Sequence, residues 1–286
     1  MRALRFLTAG ESHGPGLVVT VDGLPAGLPV NLDGVHAMMT RRMGGYGRGP
    51  RMKQGIESDR VQVMSGIRHG KTLGSPVALV IDNADFANWR DAMSVEPVPE
   101  GTKTRPVTRP RPGHADLAGG LKYNTHDLRD VLERASARET AARTAAGALA
   151  VQLLEHFSIL LASHVIRVSD VTYPEGHEVP FVDITSIPID SRLRVVDLEL
   201  EERMVAAIDA AAADHDTVGG AFEVVASGVP PGLGSHRHWD TKLDGRLAQA
   251  VMSIQAMKAV EIGDGVRAAS CRGSGVHDEI LRTGRW

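Results

Sequence analysis

Short runs of β-branched and apolar residues, each bounded by Gly, Pro or Asp, predict strands at 3–8, Leu17–Asp22, Val61–Gly66 and Val77–Asp82. Similar runs predict strands at Ala162–Val168, Arg194–Leu198 and Ala221–Ser227. Between them the apolar positions take a helical spacing, which predicts helices over Asp33–Met43, Thr125–His156, Leu200–Asp214 and Trp239–Ala259. The second of these is rich in alanine from Ala135 to Ala150, and Asn124 and Asp127 resemble a capping pair at its start. Small side chains along that helix let other backbones approach it closely, which suits a crowded interior.

The stretch VDGLPAGL (Val21 to Leu28) returns as ASGVPPGL (Ala226 to Leu233). Each copy follows a predicted strand and precedes Leu-Asp-Gly at the head of a predicted helix, Leu32–Gly34 and Leu243–Gly245. A duplicated strand–turn–helix unit would leave this trace, and so would chance recurrence of Gly-Pro turns. No shorter period marks a solenoid. Between Phe86 and Gly113 five prolines alternate with Lys103, Arg105, Arg109 and Arg111, a long loop that leads into His114. A loop of that length in a folded domain is either functional or disordered.

Composition changes the picture in three ways. Glycine makes up 31 of 286 residues and only 4% are aromatic, so Val, Leu, Ile, Ala and Met must fill the core while glycine serves tight turns. The net charge of −3 hides an asymmetry: residues 1–150 hold 20 Lys+Arg against 15 Asp+Glu (+5), and the rest hold 12 against 20 (−8). A basic first half suits an anionic ligand, whereas the modest total argues against a nucleic-acid binder. Cys271 is the sole cysteine, which excludes an intrachain disulfide and fits the cytoplasm. The N-terminal MRALRFLTAGESHG makes a poor signal peptide, and no run reaches the ~18 apolar residues of a membrane span.

Candidate chemistry concentrates in a few places. Thr40 to Lys53, TRRMGGYGRGPRMK, surrounds glycines with Arg41, Arg42, Arg48, Arg51 and Lys53. Guanidinium groups grip phosphates and carboxylates in a fork, though a solvated basic loop has the same composition. His13 in GESHG and His114 in PGHAD sit among glycines and prolines, where the backbone is fixed and an imidazole can exchange protons near neutral pH. Arg134 and Arg138 in ERASARET are four apart, on one face of the predicted helix. The His236–His238 pair lacks a third ligand at a familiar spacing, so no metal is assigned. GESHG is not a nucleophile elbow, and neither a G-x-G-x-x-G after a strand nor a P-loop is present.

GESHGPGL, RRMGGYGRGPRM, GSPVALVIDNAD, RPRPGHADLAGGLKY, ERASARETAARTAAGALA, DTVGG with EVVASGVPPGLGS, and DTKLDGRLAQAVMSIQAMKAVEIGDG occur in this order. Together they resemble the chorismate synthase family over essentially the whole chain. The resemblance implies an α+β fold, a β-α-β sandwich of helices layered between two antiparallel sheets, with internal pseudo-symmetry and assembly as a homotetramer. It implies a 1,4-anti elimination of phosphate from 5-enolpyruvylshikimate 3-phosphate, with loss of a C6 hydrogen, to give chorismate. Reduced FMN is required without net redox change, and NADPH is a candidate reductant.

The resemblance assigns His13 as acid toward the departing phosphate and sets His114 near flavin N1. Arg134, Ala135, Ser136, Gln255 and Ala256 match FMN contacts; Arg42, Arg48, Arg51 and Arg111 match positions that bind the substrate's phosphate and carboxylates. Arg42 and Arg48 also match the family's NADP phosphate contacts. Against the family pattern, residues 1–286 form a single domain that stops at Trp286, before a Lys-Pro-x-x-Thr segment and an Arg and Asp near the site. The alternatives are a catalytically impaired flavin-binding scaffold and, from another class, an RNA binder using its Gly-Arg loops.

Overall fold

The computed structural model describes residues 4–47 and 59–280. The chain divides into two compact units, Met1–Val229 and Pro230–Trp286.

In the first unit, β1 (Arg5–Ala9), β2 (Gly16–Asp22), β3 (Val61–Ser65) and β6 (Val77–Asp82) form an antiparallel sheet in the order β1-β2-β6-β3. A small hairpin pairs β4 (Ile67–Arg68) with β5 (Lys71–Thr72). The register sets Leu17 opposite Ile81, Val19 opposite Leu79 and Val21 opposite Val77. Because side chains alternate along a strand, these six share one face, and all are at most 3% exposed. Each such burial contributes roughly 1.5–3 kcal/mol relative to exposure.

Two helices cover that face. In α1 (Leu32–Met43), Asn31 accepts from the Asp33 and Gly34 amides as N-cap, and Val35 and Met39 point inward. The long α4 (Thr140–His156) buries Ala141, Ala142, Ala145, Ala146, Ala148 and Leu149. It packs on α1, β2 and β6 and also touches β7 (Leu160–Val168), so this helix contacts both larger sheets of the unit. Alanine permits the close approach; added methylenes in such a core cost about 1–3 kcal/mol. The second antiparallel sheet, β8-β7-β9, consists of β7 (Leu160–Val168), β8 (Val171–Thr172) and β9 (Gly220–Ser227). Against it pack α5 (Phe181–Ser186) and α6 (Leu198–Ala213), with Val168, Val195, Leu200 and Met204 as a second core cluster. The α+β fold of helices with two antiparallel sheets is the one expected.

Three expectations are corrected. The helix expected over Thr125–His156 is broken. Residues Arg129–Ala135 form α3, Ser136 turns extended (φ −62°, ψ 142°), Ala137–Glu139 make a 3-10 turn, and α4 follows. The Ser136 hydroxyl accepts from the Arg138 amide at 3.3 Å, so a serine that propensity places mid-helix acts instead as a cap. Asn124 does not open this helix; it lies at φ 52° and ends the preceding α2 (Asp116–Tyr123), which the sequence analysis missed. Arg194–Leu198 is not a strand. Arg194 sits at φ 59°, Val195 is buried as a single anchor, and Asp197 caps α6 through the Glu199 and Leu200 amides.

The two copies of the repeated stretch do follow a strand and precede a helix. The first runs from β2 to α1, and the second from β9 to α7 (Leu243–Met252). Within the second unit, α7 follows a 3-10 turn at Trp239–Thr241 and ends well short of the expected Ala259.

Candidate active site

The loop Gly10–Pro15, between β1 and β2, carries His13. Gly10 is required there. Its φ is 105°, and a Cβ would lie 2.4 Å from the Gly16 carbonyl oxygen. The buried Asn83, just beyond β6, clasps the loop by donating its amide to the Ser12 and Gly14 carbonyls at 3.2 and 2.8 Å. On the α3 side, the Ser12 amide donates to the Glu133 carbonyl, and the Ser136 and Ser12 hydroxyls are 3.2 Å apart.

Glu133 organises the histidine. Its carboxylate accepts from the His13 amide at 2.8 Å and from His13 Nδ1 at 2.9 Å, and Arg129, one turn earlier, donates to it at 2.8 Å. The Glu133 side chain is 1% exposed. Burial alone pushes its carboxyl up; the ring, amide and charge of His13, together with Arg129, outweigh burial and hold it below its ordinary value. An ionised Glu133 only accepts, so Nδ1 carries the hydrogen and the proton available for exchange belongs to Nε2. The His13 ring also rests against Trp89, with centroids 3.8 Å apart.

His114 sits in a second group, at the start of α2. Asp116, wholly buried, accepts from the Arg111 amide and Nε at 3.1 and 2.9 Å and pairs with His114 Nδ1. Burial opposes ionisation of Asp116, but the Arg111 side-chain and backbone hydrogen bonds, and then His114, bring its pKa down to about 2. Arg111 stands 3.0–3.1 Å from the His114 ring nitrogens. Since Asp116 accepts and Arg111 donates, a neutral His114 carries its hydrogen on Nδ1 and receives Arg111 at Nε2. The contacts that hold His114 are local. Its group is tied to the Glu133 helix by packing of α2 on α3, where Gly119 faces Val131 and Gly120 faces Leu128.

A third group lies where α1 meets the broken helix. Both oxygens of the buried Asp59 are engaged, one by Arg42 at 2.8 Å and the other by Arg138. Arg42 also reaches the Thr140 hydroxyl at 3.2 Å. Because Ser136 breaks the helix, Arg134 and Arg138 do not share a helical face, contrary to expectation. Arg138 turns to Asp59, whereas the exposed Arg134 donates to the Thr8 hydroxyl and carbonyl at 2.8 and 3.0 Å. Arg48 and Arg51 lie outside the described residues.

In the second unit, Gln255 and Ala256 follow α7, and Ala256 adopts φ 68°, a conformation that L-residues other than glycine rarely take. The sequence reading missed Glu133, Asp116, Asp59 and Trp89. Two local signals were present: Arg129 and Glu133 are spaced i,i+4, and His114 is two residues from Asp116.

A family model described as chorismate synthase matches residues 4–285. The chorismate synthase of Symbiobacterium thermophilum is 57% identical over 281 residues, covering 97% of this chain and 71% of that protein. The one from Moorella thermoacetica is 56% identical over 277 residues, with shares of 97% and 70%. A solved crystal structure of chorismate synthase superposes with a TM-score of 0.80 at 42% identity, covering 98% of this chain and 75% of that one. With its α+β fold and its histidine-bearing turn between β1 and β2, the chain belongs to the chorismate synthase family.

Proposed function

We propose that this protein forms chorismate from 5-enolpyruvylshikimate 3-phosphate by 1,4-anti elimination of phosphate, as a carbon–oxygen lyase requiring reduced FMN. The observation that carries the reading is His13, whose Nδ1 is committed to a buried, ionised Glu133, while Arg129 donates to the same carboxylate. A histidine so oriented presents Nε2 as the proton-carrying atom, and departing phosphate is a better leaving group when protonated.

The residues fit a flavin nucleotide. Arg134 is anchored yet exposed, and beside it Ala135 brings only a methyl group and Ser136 extended backbone, a combination that admits a planar ring system and its anionic tail. The family resemblance also assigns FMN contacts to Gln255 and Ala256, the latter at φ 68°. Reduced FMN, when bound, would supply electron density to the reacting substrate without net redox change. Of this chain's own residues, His13 gives a proton to the departing phosphate, and His114, locked by Asp116 and Arg111, would offer the flavin a fixed hydrogen-bonding edge. Arg51 and Arg111 bind the substrate's phosphate and carboxylates, and Arg42 and Arg48 serve either the same anion or the phosphate of NADPH, the candidate reductant. The pairing of Arg42 with Asp59 holds its guanidinium at a set position for that task. A homotetramer in the cytoplasm completes the reading, which family membership supports. Among the described residues no helix is long and apolar enough to cross a membrane.

Anaerobic incubation with substrate and chemically reduced FMN tests this. Chorismate is expected; its absence refutes the proposal, and flavin retained without turnover points to the scaffold alternative.

A further inference from the structure

Trp89 belongs to no expectation drawn from the sequence, yet three positively charged or chargeable groups converge on its indole. The His13 ring lies 3.8 Å away between centroids, tilted by 37°. The guanidinium carbons of Arg105 and Arg129 lie 4.4 and 5.0 Å from the indole centroid. Nor is the indole loosely placed. Its Nε1–H donates to Asp85 at 2.9 Å, and Asp85 is fixed in turn because its amide donates to the Asn83 side chain at 3.2 Å. Asn83 is the residue that clasps the His13 loop. One short turn after β6 therefore holds both the backbone that carries His13 and the aromatic surface on which its ring rests.

Resting on the proposed function, we propose that Trp89 is a positioning residue for His13. Glu133 fixes the imidazole by its edge and the indole fixes it by its face, so that Nε2 keeps one direction through the proton transfer. Aromatic faces attract cations, so the contact strengthens when the ring is protonated. The indole also carries Arg105 and Arg129, which draw positive charge to the place where phosphate departs. Arg105 is held there in a left-handed conformation (φ 53°), its carbonyl accepting from Arg129 Nε at 2.7 Å. The charged groups around the pair are Glu133, Arg129 and Arg134 from α3, Arg105 from the proline-rich loop, Asp85 behind the indole, and Glu11 in the histidine's own loop.

Tryptophan emission reads the contact directly, because an imidazolium in contact with an indole quenches it. The three tryptophans are Trp89, Trp239 and Trp286, so the difference between the wild-type protein and W89F isolates Trp89. That difference emission is expected to be quenched in the wild-type protein, and His13→Gln is expected to relieve the quenching. Turnover supplies the second readout. W89L should lower kcat by about tenfold with KM changed less than about threefold, while W89F, which keeps an aromatic face, recovers most of the loss. Circular dichroism verifies that each variant is folded, and the emission comparison needs no leucine variant. A Trp89 emission indifferent to His13→Gln overturns the contact. A W89L enzyme with unchanged kcat overturns the positioning role. Wild-type protein without turnover overturns the functional reading and the role with it, while the emission still reports whether the two rings touch.

Discussion

Glu133→Gln changes one oxygen into an NH2 group and leaves the shape of the side chain alone. In the wild-type protein the carboxylate accepts from the His13 amide, His13 Nδ1 and Arg129 at 2.8–2.9 Å. The amide offers a single accepting oxygen, so at least one of these donors meets an N–H instead. Hydrogen bonds to a charged group contribute about 1.5–3 kcal/mol each, and losing the charge weakens those that survive. The amide can also donate to Nδ1, so the tautomer that reserves Nε2 for proton exchange is no longer enforced. A loss of roughly 3 kcal/mol in transition-state stabilisation corresponds to about two decades in kcat. Some of this energy appears as lower stability, since Arg129 is left 11% exposed without its counter-charge. The assay is anaerobic chorismate formation with reduced FMN, run beside a urea melt to separate folding from chemistry. An E133Q enzyme whose kcat stays within about twofold of wild type would refute the assigned role of the His13–Glu133 pair.

Other outcomes follow from the same structure. Asp116 has its pKa lowered from the ordinary 3.8 to about 2, so its stabilising share is complete above the unfolded value and disappears as pH falls from about 4 to about 2. Asp116→Asn should be less stable than wild type at pH 6 and lose less stability over that acid window; parallel melting curves at pH 2 and pH 6 decide it. Gly10→Ala places a methyl group 2.4 Å from a carbonyl oxygen at φ 105°, and should cost at least ~2 kcal/mol in chemical denaturation. Arg134→Ala should weaken FMN binding by about tenfold or more in a fluorescence titration while leaving the fold intact; unchanged affinity would remove Arg134 from the flavin contacts.

Local patterns were enough to read most of the strands and the helix at 33–43, because β-rich runs bounded by Gly, Pro or Asp and a helical spacing of apolar positions are properties of neighbouring residues. The ordered motif blocks identified the family and singled out His13 and His114. What chain-neighbour reasoning could not supply was decided by tertiary contacts. Ser136 leaves the helix because its hydroxyl finds Ser12 and the Arg138 amide, a competition that propensity does not register. Glu133 meets His13 across 120 positions, and Asp59 meets Arg138 across 79. Buried charges need partners, and which partner satisfies each is a question of where distant segments come to lie. The sequence by itself determined the types of group in the site. Only the folded chain decided which of them are paired, and so which ring nitrogen of His13 is left to carry the exchangeable proton.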